Sequence, residues 1–70
     1  MPLTIAPFDT ELTIVRILTD DKTKRHLESL GIVPQGKISV ISSHNGNVIA
    51  VVKGVRLGLN KDVAMKILVA

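Results

Sequence analysis

Asn45-Gly46 stands between two runs dense in β-branched residues, 37–43 (KISVISS) and 48–53 (VIAVVK). Asn and Gly tolerate the positive φ of a tight turn, and such a pair between apolar runs is a strong hairpin signal. Two registers satisfy it. A two-residue loop puts Ile49, Val51 and then Lys53 on the face shared with Ile38 and Val40. A three-residue loop, 45–47, puts Val48, Ala50 and Val52 there instead, and sends Ile41, Ile49 and Val51 outward with Ile41 opposite Val51. The second is expected, because a lysine is costly to bury in a small core.

The flanking sequence extends this hairpin into a small barrel. Residues 12–18 (LTIVRIL) read as a first strand. Thr19-Asp20-Asp21 then opens a helix, with Thr19 or Asp20 as the cap and both aspartates at the positive dipole end. Thr23, Leu27 and Leu30 form its core-facing stripe, and Gly31 sits where a left-handed residue closes a helix. Val33-Pro34-Gln35-Gly36 has Pro second and Gly fourth, as in a type I turn. Beyond Gly54, Val55, Leu57 and Leu59 alternate with Arg56, Gly58 and Asn60. The inward parity therefore changes from even to odd, which predicts a bulge or sharp bend at Gly54. Residues 60–64 make one capped helical turn and 66–70 a closing strand. The expected fold is mostly β: about five strands in a small barrel, with one α-helix between the first and second strands. A short helical turn precedes the last strand. With 70 residues, no linker and no repeat, residues 1–70 form a single domain.

Composition narrows the chemistry. The chain has no cysteine, which excludes a disulfide framework and Cys-ligated metal sites. The longest run without a charged residue, 38–52, is broken by Ser42–Asn47 turn chemistry and cannot span a bilayer; the N-terminal residues lack a signal-peptide pattern. No direct membrane insertion is expected. Ser42-Ser43-His44 falls on the hairpin tip, without the buried base and orienting acid a nucleophile needs. Asp9, Glu11, Asp20, Asp21, Glu28 and Asp62 are scattered, so no acid/base pair forms. His26 and Glu28 point in different directions on a helix, and His44 is remote from both; no metal site and no cofactor are expected. The glycines are dispersed singly, and none opens a helix to cradle phosphate.

Nine Lys/Arg against six Asp/Glu give a net charge of +3, concentrated at Lys22, Lys24, Arg25 and the neighbouring His26. This run could meet phosphates, but Phe8 is the single aromatic residue, and small barrels that bind single strands generally stack bases on aromatics. A solvated helix face is the favoured reading, with a nucleic-acid-binding small β-barrel as the alternative. The outward residues Ile41, Ile49 and Val51 are a candidate protein-contact patch if the helix leaves them uncovered.

Leu30-Gly31-Ile32-x-Pro34, Ile38-x-Val40, Val52-x-Gly54-x-Arg56-Leu57-Gly58-Leu59 and Ala64-x-x-Ile67-x-Val69, with Arg25-x-Leu27-x-x-Leu30, together resemble the FeoA family. The resemblance runs from about Leu3 to Val69 and rests on order and spacing. It implies an SH3-like barrel in which Leu27, Leu30, Gly31, Pro34, Gly54, Leu57, Leu59 and Ala64 are structural. It also implies a cytoplasmic, non-enzymatic accessory of ferrous iron uptake that docks on the GTPase-bearing cytoplasmic part of a FeoB-type transporter. Self-association stays open. Candidate partner-surface residues are Ile41, Ile49, Val51, Arg56, Lys24 and Arg25. Two positions depart from the family pattern. Gln35 separates the usual Pro-Gly pair, which favours type I over type II at this turn, and Gly58 stands where Ala is common.

Overall fold

Both tight hairpins in the chain use two-residue loops with positive φ at each central position. In the computed structural model, which describes Met1–Ala70, Asn45 and Gly46 have φ of 52° and 87°, and Lys53 and Gly54 have φ of 52° and 79°. These are type I′ turns, whose twist matches that of the strands they join. They connect β2 (Lys37–His44), β3 (Asn47–Val52) and β4 (Val55–Leu59) into a meander. β1 (Leu12–Ile17) and β5 (Ile67–Val69) complete a five-stranded antiparallel sheet of order β4-β3-β2-β1-β5. A helix α1 (Asp21–Ser29) follows β1, a single helical turn α2 (Lys61–Ala64) precedes β5, and a 3-10 turn (Leu3–Ile5) precedes β1.

The expected three-residue loop is thus corrected to two residues, with His44 paired to Asn47. The inward face is nevertheless the expected one: Ile38, Val40, Val48, Ala50 and Val52 are all buried. A β-bulge at Ile41 reconciles the two. Val48 pairs with Ser43 and Ile49 with Ser42, but Ala50 pairs with Val40, so one extra residue on β2 restores the parity. Ile41 accordingly does not lie opposite Val51, whose partner is Ser39. At Gly54 the chain does not bulge or bend within a strand; it reverses. Val52 pairs with Val55, Ala50 with Leu57 and Val48 with Leu59, and the change from even to odd is the arithmetic of a two-residue hairpin.

The turn after α1 is also corrected. Gly36 N–H donates to the Val33 carbonyl at 2.9 Å, and Gln35 has φ of 73°, which makes it type II. The type II orientation turns the Gln35 N–H toward the Ile14 carbonyl, 2.7 Å away, while Ile14 N–H donates to the Gly36 carbonyl at 2.8 Å. Docking on β1 selects the flipped peptide despite the non-glycine residue.

Helix α1 begins and ends as its sequence dictates. The Asp20 carboxylate caps it by accepting from Thr23 N–H at 2.8 Å. Hydrogen bonding from Thr23, aided by the Lys66 and Lys22 charges, holds this carboxyl below the usual aspartate range. At the other end Gly31 has φ of 90°; its N–H donates to Glu28 and that of Ile32 to Leu27, a Schellman closure. Leu27 and Ile32, both buried, supply the hydrophobic contact that accompanies it. An analogous cap starts α2, where Asn60 Oδ1 accepts from Val63 N–H at 2.9 Å. Asn47 Oδ1 accepts from Lys61 N–H at 2.8 Å and ties the β2–β3 turn to α2.

One aliphatic cluster fills the interior, from Leu3 through Ile14, Leu27, Ile38 and Ala64 to Val69, and no polar or charged residue is buried. The two sheet edges differ. Met1 exchanges hydrogen bonds with Val69, and Pro2 bridges Leu68, so the outer edge of β5 is covered. No segment pairs with the outer edge of β4.

Candidate functional site

The meander carries four of the six sequence-derived surface residues, Ile41, Ile49, Val51 and Arg56. Val51 pairs with Arg56 across β3–β4, and Ile49 pairs with Gly58, so a row of two aliphatic residues lies beside a guanidinium. Ile49 is 39% exposed, Arg56 is exposed, and Val51 and Ile41 are half-buried. Helix α1 does not cover this face, because its buried residue, Leu27, joins the core on the inner side. Gly58 lies against Ile49 without crowding it: a Cβ at that position would meet Ile49 Cδ1 in ordinary contact at 3.8 Å. A shallow hollow of about 480 Å³ lies there, bordered by Ser43, His44, Asn47, Ile49, Gly58 and Asn60.

Lys24 and Arg25 are not part of this patch. They sit on α1, Lys24 half-buried and Arg25 exposed, and the candidate partner surface divides into a β3–β4 face and a helix face. Leu27, Leu59 and Ala64 are buried, Leu30 and Leu57 half-buried, Pro34 forms the second position of the type II turn, and Gly31 and Gly54 adopt positive φ. Gly31 also approaches β3 closely: a Cβ there would lie 3.2 Å from Val52 Cγ1.

Sequence reasoning missed a cleft between α1 and β4. Near the end of α1 it measures about 420 Å³, lined by Glu28, Leu30, Val52, Lys53, Val55 and Leu57. It continues past Leu30 as a narrower groove of about 180 Å³ between Thr23, His26 and Leu27 on one side and Gly58 and Leu59 on the other. The signal for it was present in half: Leu30 and Leu57 were read as motif residues, but their apposition depends on how α1 crosses the sheet. The largest hollow, about 530 Å³, lies between the 33–36 turn and β3, beside Glu11, Lys37 and Lys53. No three His, Asp or Glu side chains converge anywhere, and His26 and His44 occupy separate elements. His44 Nε2 instead lies 3.3 Å from Asn45 Nδ2 at the hairpin tip. No helix is long and apolar enough to cross a membrane.

Comparison with known proteins places this geometry. The family model described as the FeoA domain matches residues 1–70. No relative was found among curated protein sequences. Among solved structures, an iron uptake regulatory protein (FeoA) superposes with a TM-score of 0.88 at 30% identity, covering 99% of this chain and 93% of the other. IdeR of T. acidophilum matches with a TM-score of 0.86 at 27% identity, over 100% of this chain but 33% of its own. FeoA of Stenotrophomonas maltophilia, solved with zinc and described as a procaryotic SH3 domain protein, matches with a TM-score of 0.78 at 20% identity. That match covers 100% of this chain and 89% of the other and shows the shared SH3-like fold. With its whole length matched by the family model, this chain belongs to the FeoA family.

Proposed function

We propose that this protein is a non-enzymatic, cytoplasmic accessory of ferrous iron uptake that docks on the soluble GTPase domain of a FeoB-type transporter. Family membership over residues 1–70 carries the reading. The S. maltophilia relative is described as a candidate ferrous iron transport activating factor, in keeping with an accessory role. The chemistry of the surface also favours docking: aliphatic Ile49 and Val51 lie exposed or half-buried beside Arg56. An aliphatic patch with an adjacent arginine is suited to a protein interface, where Arg is enriched and charged residues otherwise sparse at the centre.

Co-purification tests the reading. Affinity-tagged transporter, solubilised in detergent, should retain the wild-type chain and lose Ile49→Asp while that variant keeps its circular dichroism spectrum. Failure to retain the wild-type chain would remove the docking partner. Binding instead to a single-stranded oligonucleotide at physiological salt, with a steep salt slope, would establish the nucleic-acid-binding barrel.

A further inference from the structure

Two backbone amides of β4 have nothing to bond. In a two-residue hairpin the flanking residues form a hydrogen-bonded pair and the pattern then alternates, so Val55, Leu57 and Leu59 bond to β3. Arg56 and Gly58 therefore turn their N–H and C=O groups outward, and neither residue has a hydrogen bond elsewhere in the molecule. The opposite edge, on β5, is occupied by Met1 and Pro2. Natural sheets cover, charge or shorten such edges, because an open edge is a template for another strand. The β4 edge does not open on bare solvent: α1 runs beside it, and the cleft between them is walled by Leu30, Val55 and Leu57.

We infer that the cleft between β4 and α1 takes an extended segment of another polypeptide as a sixth strand, hydrogen-bonded to Arg56 and Gly58. The inference deepens the docking reading above and rests on it for the source of that segment. Strand addition of this kind draws affinity from the main chain and selectivity from pockets for alternate side chains. Inward side chains of the added strand enter the cleft against Leu30 and Leu57, which asks for aliphatic residues. Its outward side chains lie beside Arg56, whose neighbour across β3 is the uncharged Val51. A carboxylate there would gain a cross-strand partner. The segment therefore alternates aliphatic and acidic residues. A second copy of this chain fits less well: it brings its own α1 beside its own β4, and another +3 charge.

The test titrates the ¹⁵N-labelled whole chain with an acetylated six-residue peptide alternating valine and glutamate, followed by amide shifts. Arg56 and Gly58 amides should move saturably and gain protection from exchange, with Leu30 and Leu57 shifts accompanying them. A peptide alternating valine and lysine should bind about tenfold more weakly. Arg56→Pro removes an outward donor that β3 does not use and should lose at least about tenfold in affinity. Should Arg56→Pro not fold, Arg56→Glu retains the backbone and should reverse the preference between the two peptides. Saturable shifts confined to other residues, no shifts at millimolar peptide, or shifts of Arg56 and Gly58 only with a single-stranded oligonucleotide would each overturn the inference. If the transporter's GTPase domain binds wild type and Arg56→Pro equally, docking stands and the cleft is not its site. If that domain does not bind while the acidic peptide does, the cleft stands and the partner is a different protein.

Discussion

Replacing Gly31 and Gly54 separately with alanine splits backbone strain from packing in a way that few other pairs in this fold allow. Both glycines have positive φ, 90° and 79°. An L-residue in the left-handed region costs roughly 1–2 kcal/mol. At Gly54 that is the whole expected cost, because nothing lies within 4 Å of the added Cβ. At Gly31 the Cβ also meets Val52 Cγ1 at 3.2 Å, in a core where Val52 is 2% exposed. Either the end of α1 or β3 must shift by a few tenths of an ångström, and overpacking of this kind adds about 1 kcal/mol or more. The expected losses are therefore about 1–2 kcal/mol for Gly54→Ala and about 2–3 kcal/mol for Gly31→Ala, a difference of about 1 kcal/mol. Urea denaturation followed by far-UV circular dichroism measures both. At about 4–8 °C per kcal/mol for a domain this small, the melting points should differ by roughly 4–8 °C. Equal losses, or a greater loss at Gly54, would refute the claim that the Schellman end of α1 is wedged against β3.

Three further substitutions test separate parts of the account. Leu27→Ala removes the buried residue of α1, and such truncations cost about 2–5 kcal/mol; in a core of this size the variant should be largely unfolded at room temperature by one-dimensional NMR. Gly58→Ala adds a methyl at ordinary contact distance and negative φ, and should raise the urea midpoint by lowering unfolded-chain entropy. Asp20→Ala should lower the melting temperature at neutral pH. Because the folded-state pKa of Asp20 is depressed, its stabilisation is present above the ordinary aspartate value near 4 and is lost as pH falls through the lower folded value. The gap between wild type and Asp20→Ala should therefore close in acid, and a gap that persists at low pH would contradict the cap.

Much of this fold is written in local chemistry. Asp20, Asn60, Gly31 and Asn45-Gly46 each act at the place their residue type favours, and aliphatic alternation identifies the inward faces of β2, β3 and β4. Turn details are less legible, for identifiable reasons. Gln35 and Lys53 adopt positive φ without being glycine or asparagine, because neighbouring strands fix the peptide around them. The bulge at Ile41 has no residue signature: it follows from fitting a two-residue loop to a buried face that excludes Lys53. Of the candidate site, the outward direction of Ile49 and Val51 is visible in the alternation. Arg56 beside Val51 is not, because that neighbour relation needs the Lys53-Gly54 reversal. The α1–β4 cleft depends on a tertiary crossing that no local pattern encodes.

Isothermal titration of the wild-type chain into the purified soluble GTPase domain of a FeoB-type transporter, at physiological salt, tests the docking role most directly. The account predicts a saturable isotherm with a single stoichiometric site, weakened by Ile49→Asp. No heat with that domain, together with salt-sensitive binding to single-stranded nucleic acid, would contradict it.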